Sequence, residues 1–280
     1  MNILYFTFLI FCCSFGTGIL GSFTGLGGGI ILVPILTLVF DVNPYYAMGS
    51  SLIASIATSS GASVGFIREG FLNLRIGIFL ETSAVIGAVI GASVVTMLPL
   101  SLLGILFGIV LLYSAITTLK QKKQEYKAVV FAPSGDCLDM GGSYLSQEKG
   151  TRLHYQAHRI WSAWSAMLIA GGLSGILGIG SGSLKVLAMD QFMKLPYKVS
   201  TATSNFMIGL TATAGSGIYL AQGYVDPILC VPIMLGILSG SFLGTRLLVK
   251  IKSQILRYVF VAMTVILGVQ MIIKSIIGKF

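Results

Sequence analysis

The sequence predicts an all-α integral membrane protein built from two inverted repeats of five transmembrane segments, about ten in total. Hydrophobic residues make up 55% of 280 positions, charged residues only 10%, and the mean hydropathy is +0.92. A water-soluble core of this size requires far less apolar sequence. The apolar runs are continuous rather than alternating, and hydrocarbon leaves backbone groups no water to bond, so helices are favoured over a barrel. The third observation is a duplication. Gly25-Leu26-Gly27-Gly28-Gly29 returns as Gly178-Ile179-Gly180-Ser181-Gly182, an offset of 153 positions. The same offset pairs Gly18 with Gly171, Val33 with Val186, Ser51 with Ser204, Thr58 with Thr211, Gly70 with Gly223, Gly87 with Gly240 and Gly91 with Gly244.

Charges, prolines and glycines divide residues 1–119, the first repeat, into spans at 3–23, 28–41, 46–67, 75–98 and 101–119. Residues 160–280, the second repeat, divide at 160–178, 183–194, 198–221, 227–249 and 255–277. Asp41 is the only charge from Ile3 to Ile67, and Glu81 the only one from Ile76 to Leu119. Each run therefore holds at least two crossings of roughly 20 residues. The second span of each half is short for a crossing and suggests a half-helix or re-entrant element entered through the glycines. The N-terminus has no basic n-region and no Ala-x-Ala site, so no cleaved signal peptide is expected and Met1 is placed close to the first span.

An odd number of spans per half turns the second copy upside down, and the basic residues test that count. With the loop after span five cytoplasmic, Arg68, Arg75, the basic residues of 120–159, Lys194, Lys198 and those from Arg246 to Arg257 all fall inside, 15 of the 18 Lys and Arg. The expected address is the inner cell membrane, multi-pass, with the N-terminus outside. Lys274 and Lys279 are exceptions, and Lys185 is in neither class. The net charge of +9 sits at the ends of apolar runs, so it reads as a topology signal and not as a nucleic-acid surface.

Residues 120–159 break the repeat and read as a polar cytoplasmic linker, with an alternative role on the anionic inner leaflet. His154 and His158 have the i, i+4 spacing of a metal pair if that segment is helical, but no second pair of ligands accompanies them, so neither metal nor cofactor is predicted. Cys12, Cys13 and Cys230 lie in apolar runs and read as small packing residues; Cys137 is in the linker.

A helix that begins inside the membrane presents unbonded N–H groups and the positive end of its dipole, an anion site needing no basic side chain. Gly27, Gly28 and Gly29, with Gly180, Ser181 and Gly182, supply two such starts. Packing glycines are the plainer alternative. Lys185 follows the second cluster inside an apolar run, where a charge is costly and functional by default, and is assigned an anion contact; snorkelling toward an interface is its alternative. Ser183, Ser51, Thr203, Ser204 and Asn205 add hydroxyl and amide donors near the glycine starts. Glu81, roughly 9 Å along its helix from Arg75, is the candidate for proton coupling, with pairing to a basic residue at the cytoplasmic edge as the alternative. Asp190 is expected to pair with a lysine.

These residues, with Val33-Pro34, the run from Leu177 to Val186, and Ala202-Thr203-Ser204-Asn205-Phe206-Met207-Ile208-Gly209, resemble the sulfite exporter TauE/SafE family of 4-toluene sulfonate uptake permeases. The similarity runs through both halves and includes Pro133-Ser134-Gly135-Asp136-Cys137-Leu138-Asp139 of the linker, seen in one subgroup. It implies a permease of inverted five-helix repeats that moves sulfite, sulfonates or related organosulfur anions, often outward. The chain departs from the family at Ser181 and Ser183 in the second glycine cluster and at Leu187, where relatives carry a proline.

The expected function is therefore a secondary transporter of small sulfur-containing anions, not an enzyme, with the anion and the bilayer as partners and protons as a candidate coupling ion. The rivals are a passive anion channel built from the same donors and a membrane enzyme acting on sulfur through Cys137 or the two histidines.

Overall fold

A computed structural model describes residues 3–24, 27–68, 71–120, 140–145, 152–247 and 253–278. Ten helices lie among them: α1 (Ile3–Thr24), α2 (Gly29–Leu38), α3 (Pro44–Arg68), α4 (Leu74–Val94), α5 (Leu100–Lys120), α6 (Ile160–Leu177), α7 (Gly182–Gln191), α8 (Tyr197–Ala221), α9 (Pro227–Leu247) and α10 (Ser253–Ile276). Their starts follow from local chemistry. Asn43 and Asp226 accept the N–H groups of Tyr45 and Ile228 through their side chains (3.0 and 2.9 Å), each followed by proline at the first helical position. Asn73 caps α4 by accepting from Ile76 N at 3.2 Å.

Six of the helices, α1, α4, α5, α6, α9 and α10, are long and apolar enough to cross a membrane. Large apolar side chains face outward along them, as Leu102, Ile109 and Ile116 do down α5, where lipid rather than water is the compatible solvent. The protein is a multi-pass membrane protein. Helices α3 and α8 are 25 residues each, and their hydroxyl-bearing residues, Ser50, Ser51, Ser55 and Thr58 on one and Thr203, Ser204 and Thr211 on the other, point inward and are buried. The polar centre of the molecule thus lies where α3 packs against α8.

Helices α2 and α7 have ten residues each, about 15 Å of rise against a hydrocarbon thickness of about 30 Å. They are half-length, and shorter than the apolar runs 28–41 and 183–194 suggest. Both end in the same turn: Asp41 and Lys194 are left-handed (φ 50° and 53°), while Val42 N bonds Leu36 O and Leu195 N bonds Met189 O (3.0 and 3.3 Å). This closure satisfies one late carbonyl of each helix through the backbone. Hydropathy therefore continues past the helix end with no glycine to mark it. All of these positions are related by the 153-residue offset. Lys274, out of place by the charge rule, donates to Thr37 O near the end of α2 at 3.0 Å and pairs with Asp41 at 3.1 Å.

The strongest packing crosses between the two sequence halves. Helix α1 lies on α9, α4 on α6, α3 on α8 and α5 on α10. Exchanging α1–α5 for α6–α10 returns the same set of pairs. Glycines make this possible: a Cβ on Gly171 would stand 2.0 Å from Ala84 O, and one on Gly240 2.2 Å from Phe15 O, so these backbones touch. Outside the two clusters, the repeated glycines Gly18, Gly87, Gly91, Gly171, Gly240 and Gly244 serve close helix packing. Two four-helix groups result, α1–α3 with α9 and α6–α8 with α4; the second has its own apolar core around Ile76, Leu80, Met167, Met189 and Met207.

In the linker, β1 (Gly141–Leu145) and β2 (Arg152–Gln156) form an antiparallel hairpin pairing Ser143 with His154. His154 lies in a strand and His158 beyond it, so the helical spacing that would make them a metal pair is absent. The hairpin is tied to the membrane part by Asn73 Nδ2 donating to Tyr155 Oη at 2.9 Å. Cys137, the stretch from Pro133 to Asp139, Gly25 and Gly70 lie outside the described residues.

Candidate functional site

The chain breaks before α2 and α7 through left-handed residues: Gly27 (φ 80°) on one side, Gly178, Gly180 and Ser181 (φ 67°, 69° and 48°) on the other. Glycine takes this conformation without steric cost, and here it also leaves room. A Cβ on Gly27 would lie 3.7 Å from Ile208 and 4.0 Å from Ser55 Oγ; one on Gly180 would lie 2.9 Å from Ile208 and 3.3 Å from the same Ser55 Oγ. Ser55 and Ile208 are themselves counterparts at the 153-residue offset. The two broken tips therefore converge on one point of the α3–α8 seam.

The first helical bonds are Leu32 N to Gly28 O and Lys185 N to Ser181 O, and no side chain of either cap residue bonds its helix. The N–H groups of Gly29, Ile30 and Ile31, and of Gly182, Ser183 and Leu184, consequently have no partner within their helices. Gly28 N donates to Thr58 Oγ1 at 3.3 Å. At the tips, Ser55 Oγ, Ser181 Oγ and Ser183 Oγ are buried and have no hydrogen-bond partner among the described residues, as is true of Asn205 Oδ1 on α8; Ser55 is fully buried. A buried unmatched polar atom is costly, so several together mark a place built for something else to bond.

Other candidates have structural employment. Ser51 Oγ donates to Gly29 O (3.0 Å) and its counterpart Ser204 Oγ to Gly182 O (3.1 Å), each pinning a half-helix to its long neighbour. Replacing either serine with alanine is expected to cost about 1 kcal/mol, read as a lower Tm in detergent; an unchanged Tm would remove that role. Asn205 Nδ2 donates to Thr201 O at 3.1 Å, and the Asn205 backbone carbonyl accepts from Ser59 Oγ at 2.6 Å. Thr203 stands apart from the tips, accepting Asn73 N at 3.3 Å at the start of α4.

Lys185 and Glu81, assigned separate roles from sequence, meet. Lys185 Nζ lies 3.3 Å from Glu81 Oε2 and donates to Met207 O at 3.1 Å and to Thr211 Oγ1; the Thr211 hydroxyl donates on to Glu81 Oε1. Lys185 is fully buried and Glu81 nearly so. Distance along the chain hid this contact, and Ser55 was missed because its counterpart is apolar. The available signal was that Ser55 stands one turn beyond Ser51 on the same face of α3.

A multi-pass helical protein whose half-length helices meet end-on at a buried polar seam falls in the class of membrane transporters. The family model described as Sulfite exporter TauE/SafE matches residues 10–271, and the chain belongs to that family. It is 28% identical over 271 residues to the "Probable membrane transporter protein YunE" of Bacillus subtilis, covering 92% of this chain and 94% of that one. Similarity extends to the "Probable membrane transporter protein MJ0441" of Methanocaldococcus jannaschii, 28% over 286 residues and 95% of both chains. The "Probable membrane transporter protein YdhB" of Bacillus subtilis matches at 27% over 238 residues, 85% of this chain and 89% of that one. No solved structure matches. The protein is a transporter and not an enzyme.

Proposed function

We propose that the protein is a secondary permease of the inner cell membrane, an exporter of small sulfur-containing anions such as sulfite or organosulfonates. The observation that carries this reading is the convergence of two glycine-opened helix starts on Ser55, whose hydroxyl has no hydrogen-bond partner among the described residues. Sulfite and sulfonates offer several oxygens around one centre. Backbone N–H groups from both tips, with Ser55 and Ser181 hydroxyls, match that shape.

The two halves are inverted in this reading, with the N-terminus outside and the linker cytoplasmic; the exchange symmetry of the helix pairs and the distribution of basic residues support it. Alternating access then moves the group α1–α3 with α9 against the group α6–α8 with α4. The sequence halves themselves are interlocked. The tips of α2 and α7 belong to different groups, so the site opens on whichever side the groups part.

A thermal-shift screen of sulfite, thiosulfate, sulfoacetate, taurine, sulfate and lactate against the purified protein tests the substrate class, since a ligand that binds only the folded state raises Tm. Stabilisation by sulfonates or sulfite supports it; stabilisation by lactate alone, or by none of the six, contradicts it. Ser55→Ala is expected to weaken binding of the stabilising anion by about tenfold, the worth of one hydrogen bond to a charged group; unchanged affinity would remove Ser55 from the site.

A further inference from the structure

The Lys185 ammonium has three protons, and all three are engaged, by Glu81 Oε2, Met207 O and Thr211 Oγ1. It has no donor left for a guest. Yet it sits one turn into α7 from the Ser181 tip, and its partners Met207 and Thr211 flank Ile208, the residue both tips face. An oxyanion reaching this ammonium must displace Glu81. If Glu81 stayed ionised, two negative groups would share one buried cation, an arrangement the interior penalises heavily.

We propose that Glu81 and Lys185 form an exchange site in which a monovalent oxyanion takes over the ammonium while Glu81 takes up one proton from water. The site is neutral before and after. One O–H bond forms on the Glu81 carboxyl, and one proton travels with each anion. Thr211 makes the exchange feasible: its hydroxyl now donates to Glu81 Oε1, and after protonation it can turn and accept from the acid, so Glu81 keeps a partner without Lys185. The counterpart positions at the 153-residue offset are Leu32 for Lys185 and Met234 for Glu81. The other half therefore repeats the backbone without the charges, which sets the count at one proton.

The other titratable groups on the packed elements are Arg75 on α4, Tyr113 on α5, Asp190 on α7, and Lys198 and Tyr219 on α8. Among the described residues none of these bonds either member of the pair. Tyr219 Oη instead donates to Gly175 O at 3.0 Å.

This inference rests on the permease reading, and calorimetry separates the two. Full-length protein in nanodiscs is titrated with methanesulfonate, whose charge does not change over the pH range used, in two buffers of different ionisation enthalpy. The expected result is uptake of about one proton per anion, affinity tightening about tenfold for each pH unit lowered, and loss of both in Glu81→Gln with binding retained. Binding without proton uptake overturns the exchange and leaves the permease standing. Proton uptake that persists in Glu81→Gln also overturns it, because another group then carries the proton. Absence of any methanesulfonate binding removes the sulfonate reading and the exchange with it. If Glu81→Gln does not fold, the double variant Glu81→Met with Lys185→Leu, which copies the other half, is expected to bind more weakly and with no pH dependence. PH-dependent binding in that variant overturns the proposal.

Discussion

Replacing Lys185 by leucine alone is expected to lower the stability of the folded protein by about 3–5 kcal/mol, because it strands the Glu81 carboxylate inside the molecule. Glu81 is 4% exposed, and among the described residues the Thr211 hydroxyl alone would remain to bond it. Adding Glu81→Met to the same chain is expected to restore most of the loss. A buried ion pair exchanged for apolar residues of similar volume is often neutral or stabilising, whereas half a pair is not. The other repeat already builds these two positions with Leu32 and Met234. Thermal unfolding in detergent reads both variants. Equal destabilisation by the single and double changes would mean that the pair is not coupled as its geometry states.

Gly180→Val is expected to abolish anion binding and reduce transport at least a hundredfold. The residue holds φ 69°, a conformation that costs an L-amino acid roughly 1–2 kcal/mol and a β-branched one more. Its side chain would also start 2.9 Å from Ile208 and 3.3 Å from Ser55 Oγ, crowding the point where the tips converge. Gly217→Ala serves as the control, since a Cβ there meets nothing within 4 Å. Binding retained in Gly180→Val, with folding intact, would take the anion site away from the tips.

Much of this fold was legible in the sequence, for reasons that differ by element. The apolar runs located α1, α4, α5, α6, α9 and α10 because lipid demands uninterrupted hydrophobicity. The glycine repeat located the two helix breaks because left-handed turns and touching backbones leave few other residues available. Sequence could not show that α1 packs with α9 and α4 with α6, since pairing between distant segments leaves no local mark. The contact between Glu81 and Lys185 was hidden for the same reason. Among the candidate site residues, Gly27 and Gly180 lie at facing helix starts. Ser51 and Ser204 lie close by but spend their hydroxyl protons on glycine carbonyls, a use that composition cannot distinguish from ligand binding. Ser55 was hidden because the repeat register draws attention to matched polar pairs, and the centre of the seam is mismatched, serine opposite isoleucine.

The convergence of two broken helices on a small anion is tested most directly by locating the anion. Crystals grown with 2-bromoethanesulfonate place an anomalous scatterer two carbons from the sulfur. The expected result is a bromine peak beside the seam, with sulfonate density between Gly27 and Gly180 and within hydrogen-bonding reach of Ser55 Oγ. A bromosulfonate found elsewhere in the protein, with no density between those two glycines, would contradict the convergent site.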